Sequence, residues 1–288
     1  MAYTTIDNPA LFFNTVLYTG DLQDSDGTGH TQSITGVGFQ PDWVWHKGRS
    51  GARTHLLVDR VRGVSSYNWI ASNGNGAELT TNTNGAISSI DSNGITVQNG
   101  NDSSSKSNNA GKNGETWVFW NWLAGGSTSS NGNGSITSTV SVNTTAGFSI
   151  VSYTGTGSAA TIGHGLGVAP RLIIIKNRNS TESWRVYHGG LGATKEIYFD
   201  LTSAAGTSSS SFNDTEPTSS VFSVGTANGT NKSGDNLIAY CFAEKQGFSK
   251  FSTYEGNGSS DGTFVYTGFR PAFLITKRAD TGGDNWHI

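Results

Sequence analysis

Lysine stands six residues after a proline three times in this chain: Lys47 after Pro41, Lys176 after Pro170 and Lys277 after Pro271. Arginine follows two residues later in the first two cases, as Arg49 and Arg178, which puts it on the same face of an extended strand. In the third case Arg278 is displaced by one position. A row of such cations offers charge-assisted hydrogen bonds to the carboxylate or phosphate of a surface polysaccharide. The structural alternative is a solvated strand end, or ion pairs inside the protein with residues such as Asp59. Both readings stand on the sequence alone.

Aromatic side chains are the second candidate, because sugar rings stack on them. The eight tryptophans are Trp43, Trp45, Trp69, Trp117, Trp120, Trp122, Trp184 and Trp286. Those with counterparts elsewhere in the chain align with apolar residues: Trp43 with Leu172 and Phe273, Trp45 with Ile174 and Ile275, Trp117 with Leu237. A position that accepts Trp, Leu and Phe in turn reads as core. Trp69 has no counterpart and sits between polar neighbours near Tyr67, so it is the expected exposed aromatic.

Asp21, Asp24 and Asp26 precede Gly27 with the spacing of a fragment of a calcium loop, although the terminal bidentate Glu of an EF-hand is absent. Aspartates are also common in turns for local reasons. The six histidines show no zinc spacing. No Gly-x-Ser-x-Gly marks a nucleophile elbow, and Glu182, Glu196 and Glu216 have no match in the first third of the chain for paired-carboxylate chemistry. The expectation is a protein without catalytic residues and without a required cofactor.

The elements that carry these residues repeat. Tyr18-Thr19-Gly20, Tyr153-Thr154-Gly155 and Tyr254-Glu255-Gly256 each precede a Gly-x-x-Pro entry, an apolar run and the lysine. Residues 114–120 (Gly-Glu-Thr-Trp-Val-Phe-Trp) are echoed by residues 234–240 (Gly-Asp-Asn-Leu-Ile-Ala-Tyr). A period of this length predicts domain-sized units, each with its own core, in series. The expected divisions are an N-terminal segment plus unit one over 1–125, unit two over 126–246, and the start of a third unit over 247–288. That third unit lacks a counterpart of the 237–242 strand. It is therefore expected to need further chain or a partner to close its core.

Composition agrees with an all-β chain. Gly, Ser, Thr and Asn carry the polarity, and these residues favour turns over helix interiors. Repeated Asn-Gly pairs, among them Asn93-Gly94 and Asn257-Gly258, are hairpin signals between short β-rich runs. In residues 117–122 and 237–242 both side-chain parities are mostly apolar, which predicts a strand covered on both faces, by its own chain or by a partner. The run 125–132 reads as a flexible linker and the polar stretch 99–113 as an exposed loop. With 18 Lys plus Arg against 21 Asp plus Glu there is no basic footprint for nucleic acid. No apolar run reaches membrane-spanning length and the start carries no signal-peptide pattern, so synthesis in a cytoplasm is expected. One cysteine, Cys241, excludes a disulfide framework within the chain and reads as a small buried hydrophobe.

Three blocks carry a resemblance: Gly-Phe-Gln-Pro-Asp-Trp-Val-Trp at 38–45, Phe-Ser-Ile-Val-Ser-Tyr-Thr-Gly at 148–155, and Ala-Tyr-Cys-Phe-Ala-Glu-Lys at 239–245. They resemble a tandem-repeat domain of virion proteins of marine bacteriophages, usually described as tail-fibre or structural proteins. The resemblance covers essentially the whole chain. It implies tandem β-sandwich units of a jelly-roll, lectin-like or laminin-G-like kind in a phage particle, and it brings no catalytic residues. It further implies other virion proteins as partners, host-surface glycan as ligand, and a homo-oligomer, a trimer being common among fibres. A head-decoration protein or a spacer without ligand is the alternative. On this reading the candidate ligand-binding residues are Lys47, Arg49, Lys176, Arg178, Lys277 and Trp69, with Asp21, Asp24 and Asp26 for calcium.

Overall fold

The computed structural model describes residues 3–64 and 67–288. These residues form eighteen strands, β1 to β18 in chain order, with one 3-10 turn and two single-turn helices. The chain is nearly all β, and every pair of named strands is antiparallel.

The first unit contains a five-stranded sheet in the order β1 (Phe13–Thr19), β8 (Thr116–Trp122), β3 (Trp43–Gly48), β4 (Leu56–Asp59), β5 (Ile70–Ala71). A three-stranded sheet, β2 (Thr31–Thr35), β7 (Gly94–Gln98), β6 (Ala86–Asp91), lies over one of its faces. Between them Val44, Val58 and Phe119 meet Ile34, Ile87, Ile95 and Val97.

The second unit is built on an eight-stranded sheet. Its order is β16 (Gly206–Thr207), β15 (Lys195–Tyr198), β14 (Arg185–His188), β13 (Leu172–Asn177), β18 (Asn236–Phe242), β11 (Phe148–Thr154), β10 (Ser138–Asn143), β9 (Ser129–Asn131). The pair β12 (Ala160–Gly163) and β17 (Val221–Val224) covers one face together with α1 (Ser209–Phe212). There Val151, Ile173, Ile175, Leu237 and Cys241 meet Ile162, Phe212 and Phe222.

Each unit thus has its own core, and a third core joins them. Trp43, Trp45, Val118, Trp120 and Trp122 of the first large sheet pack against Phe148, Ile150, Leu172, Ile174, Ile238 and Tyr240 of the second. Trp43 stacks on Tyr240 with ring centroids 4.3 Å apart. The strand period of two explains the division. Along β3, Trp43 and Trp45 face the seam and Val44 faces the unit's own core. Along β18, Ile238 and Tyr240 face the seam and Leu237 and Cys241 do not. Both-parity apolar strands are therefore covered on both faces within one chain. The expected series of beads is instead a stack of sheets, with the two repeats apposed through equivalent faces.

The repeated motifs also close locally. Gly20 N donates to Glu115 O at 2.9 Å and Gly114 N to Gly20 O at 3.0 Å. In the second copy Gly155 N donates to Asp235 O and Gly234 N to Gly155 O, both at 2.9 Å. A Cβ at Gly155 would overlap the Lys232 carbonyl oxygen, and one at Gly20 the Gly111 carbonyl oxygen. Glycine is required at both because two backbones touch there.

The third copy forms no sandwich. No named strand lies beyond Phe242 among the described residues; isolated bridges join Lys245 to Ser249 and Thr276 to His287. Its chain runs along the seam, where Phe251, Phe273, Ile275 and Trp286 pack on the shared core.

Two further expectations are corrected. The run 125–132 is no free linker: Gly125 N donates to Ser141 Oγ, Gly126 N to Asp42 Oδ2, and β9 adds to the sheet. The stretch 99–113 is packed, with Asn99, Ser107 and Ala110 buried. Its polar groups find partners in the 23–26 turn, for example Asn99 Nδ2 on Gln23 O at 3.0 Å, so burial leaves few of them unpaired.

Candidate functional site

The three lysines turn back on their own loops. Lys47 Nζ donates to Gly48 O at 3.1 Å. Lys176 Nζ donates to Asn177 O at 2.6 Å and Ser180 O at 3.4 Å. Lys277 Nζ donates to Asp284 O at 2.7 Å and Thr202 O at 3.2 Å. All three have seam parity, and the ammonium at the strand exit satisfies carbonyls that leave the ladder. Lys176 is fully buried, and burial lowers its pKa to about 8 although Asp200 and Glu182 pull it back up. A fully buried lysine cannot meet a polymer at the surface, so Lys176 is corrected from ligand-binding candidate to loop clamp.

Arg178 is corrected in the same way. Its guanidinium bonds to Glu78 of the first unit, which also holds Arg62. Arg49 alone of the five strand-exit cations is exposed with no side-chain partner recorded among the described residues. Trp69 is corrected as well. It is 9% exposed, packs in the first unit's own core, and its Nε1 donates to Thr81 O at 3.4 Å.

The aspartates do not converge. Asp24 Oδ1 accepts from Ser107 N and Oγ, and Oδ2 pairs with Lys112 Nζ at 3.3 Å. Burial alone would raise the Asp24 pKa, but Ser107 and Lys112 hold it below its ordinary value. Asp26 accepts from Gln23 N at 2.7 Å. Asp21 is exposed. Among the described residues no group of three or more His, Cys, Asp and Glu is placed to hold a metal ion. Asp24 anchors the 99–113 stretch through Ser107 and Lys112.

What the structure assembles is a crevice of about 260 Å³ at the mouth of the seam. Trp45, His55, Ser72 and Asn73 come from the first unit, Phe199, Asp200 and Leu201 from the second, and Asn285, Trp286 and Ile288 from the third copy. Trp286 is held by Nε1 on Tyr198 O at 2.9 Å and packs edge-on to Phe199. Asp200 Oδ1 accepts from Trp184 N at 3.0 Å. Asn73 Oδ1 accepts from His55 N at 3.0 Å. Burial first, and then the nearby Lys47 charge, lower the His55 pKa to about 4, so its imidazole is neutral near pH 7. Trp45 Nε1 and Ser72 Oγ, on two residues of the lining, are buried and have no hydrogen-bond partner among the described residues.

Serine, histidine and aspartate share this crevice, yet no hydrogen bond joins Ser72 Oγ to His55 or the His55 ring to Asp200. The arrangement suits binding: ring faces for apolar edges, and a carboxylate and amides for polar ones. Sequence reasoning missed His55, Ser72, Asn73, Asp200 and Asn285, because none of them recurs between copies and no local motif marks them.

The fold and this site define a layered, antiparallel all-β protein with a small aromatic and polar crevice where its repeats meet. The chain belongs to the DUF7483 family, a domain of unknown function, matched over residues 8–288. No curated protein and no solved structure matches it.

Proposed function

We propose that this chain is a non-enzymatic component of a bacteriophage particle, part of a tail fibre or another surface fibre, that attaches to host-surface glycan. In this reading its units are sandwiches of the lectin-like or laminin-G-like kind. It works as a homo-oligomer beside other virion proteins, so that weak single sites gain strength from copy number. The observation that carries the reading is the seam crevice. Trp286 and Phe199 offer ring surface to the C–H face of a sugar, and Asp200, Asn73 and Asn285 offer acceptors and donors to its hydroxyls.

A glycan array probed with the labelled protein and with Trp286→Ala and Asp200→Asn tests it. Binding to a defined glycan class, weakened about tenfold or more by either change, is expected; tenfold corresponds to about 1.4 kcal/mol, of the order of one lost contact. Electron microscopy of the particle supplies the second arm. A chain present in virions that binds no glycan is a decoration or spacer protein. A chain absent from virions removes the proposal altogether.

A further inference from the structure

Asp200 lines the seam crevice and takes part in no ion pair among the described residues. Asp59 and Glu78, the other carboxylates at the seam, each hold an arginine. Asp200 Oδ1 accepts from Trp184 N at 3.0 Å, and Oδ2 accepts from no donor among the described residues. Lys176, whose charge Asp200 favours, gives its hydrogen bonds to Asn177 O and Ser180 O instead. No Lys or Arg lines the crevice, and His55 beside it is neutral near pH 7. A carboxylate thus stands on the wall without a counter-ion.

The surrounding walls favour the same sign of charge. Phe199 directly precedes Asp200, and its ring centroid is 5.3 Å from that of Trp45 and 5.1 Å from that of Trp286. The Trp286 indole is fixed by its bond to Tyr198 O at 2.9 Å. A cation entering here gains twice, from the carboxylate and from the ring quadrupoles. An anion meets the like charge of Asp200 with no cation on the wall to offset it. Asn73 and Asn285 add side-chain amides for hydroxyl groups. The volume, about 260 Å³, lies below the roughly 300 Å³ at which drug-sized pockets begin, which suits one sugar ring rather than a length of chain.

We propose that the crevice selects a sugar residue bearing a free, protonated amine, an unacetylated hexosamine whose ammonium meets Asp200 and whose ring lies against Trp286. The inference rests on the glycan-binding reading above and narrows it. It runs against the acidic polysaccharide that the strand-exit cations suggest in the sequence: Lys176 is buried and Arg178 is held by Glu78, so that row of cations is not assembled. N-acetylation of the amine removes the charge and should remove the preference.

The test is calorimetry of the whole protein at about pH 6, where an amine of ordinary α-amino pKa is protonated. The probes are the tetramers of glucosamine, N-acetylglucosamine, glucose and galacturonic acid. The glucosamine tetramer should bind about tenfold or more tightly than its N-acetylated form, and the galacturonate tetramer should bind weakest. Asp200→Asn keeps an acceptor for Trp184 N and removes the charge, so the amine preference should fall to about twofold or less with the melting temperature unchanged. The ranking of probes on the unaltered protein needs no variant, so it decides the matter even if Asp200→Asn misfolds. Glycan binding without preference for the amine, or a preference that survives in folded Asp200→Asn, overturns this inference and leaves the broader reading standing. Absence of binding to these tetramers and to the glycan array overturns both.

Discussion

Arg178 Nη2 lies 2.7 Å from Glu78 Oε2, joining residues on opposite sides of the seam. The contact is reinforced by the Glu78 N–H, which donates to Arg178 O at 2.8 Å. Glu78 Oε1 meanwhile takes Arg62 Nη1 at 2.7 Å, and Arg62 is paired with Asp59, both side chains being fully buried. Tyr240 of the second unit donates to Asp59 Oδ2 at 2.8 Å. Two guanidinium groups and two carboxylates thus close a network between the units. Such a network contributes little net stability, because desolvation offsets attraction. The stacked aromatics beside it, at about 3 kcal/mol of gross burial for a large side chain, hold the seam together; the ions fix how the sheets align.

Removing one member is a different matter from never having had the network. Glu78→Ala leaves buried Arg62 one carboxylate short and frees Arg178. It should destabilise by about 2 kcal/mol in urea unfolding, the cost of a buried guanidinium N–H left without its acceptor. Arg178→Ala should cost less, about 1 kcal/mol, because Arg178 is partly solvated. The double variant should cost clearly less than the sum, since the pair shares one contact. If Arg178→Ala left stability untouched and instead lowered glycan binding, the arginine would regain the ligand role that its ion pair denies it.

Lys176 gives a pH signature. Its folded pKa, about 8, lies below the ordinary 10.5 because burial disfavours the ammonium. Between those values the unfolded chain keeps a proton that the folded chain has lost, so this group makes stability rise with pH across that window. Lys176→Met should abolish the rise. Near pH 7 the same variant loses the bonds to Asn177 O and Ser180 O but no longer buries a charge. The two effects should offset to within about 1 kcal/mol, measured by urea unfolding at pH 7 and at steps from 8 to 10.

Much of this was readable in the chain. Trp43, Leu172 and Phe273 interchange at one repeat position, which marks packing rather than recognition, and all three do pack on one core. The both-parity strands at 117–122 and 237–242 announced two covered faces. The covering element was not readable, because a strand's own residues say that a face is dry without saying against what. Trp69 misled for that reason: its neighbours are polar, yet it joins a core that includes residues of β2, β6 and β7, distant in sequence. The stretch 99–113 misled in the same way, since its polar side chains are satisfied by the 23–26 turn rather than by water. Apart from Trp45, the crevice draws on all three copies through residues without repeat counterparts, so neither repeat nor motif could point to it.

His46 should govern part of the acid side of stability. It faces the first unit's own side of β3, stacks on Trp117 with centroids 4.9 Å apart, and sits with Nε2 2.6 Å from the Tyr18 hydroxyl. Burial first, then the charge on His55, bring its pKa from 6.5 to about 3. The unfolded chain therefore binds the proton first as pH falls. The stability contributed is complete above about 6.5 and is lost progressively toward 3. His46→Phe keeps the stack and removes the titration. Its stability should fall less steeply from pH 6.5 to 4, with His55 still contributing, and should start about 1 kcal/mol lower for the unpaired Tyr18 hydroxyl. Thermal melts at half-unit pH steps read both effects.

One repeat position offers a comparison that no single site gives. Val44, Ile173 and Leu274 occupy equivalent places after their prolines, and truncating each to alanine removes similar chemistry from three surroundings. Ile173 is enclosed by β12, β17 and the single-turn helix α1 on its unit's own side, and Val44 by the three-stranded sheet. Ile173→Ala should cost about 3 kcal/mol and Val44→Ala about 2, from lost burial plus the cavity left behind. Leu274, largely in water, should change stability by no more than about 0.5 kcal/mol. Urea unfolding of the three variants decides it, and a Leu274→Ala cost of several kcal/mol would mean that the third copy is already enclosed.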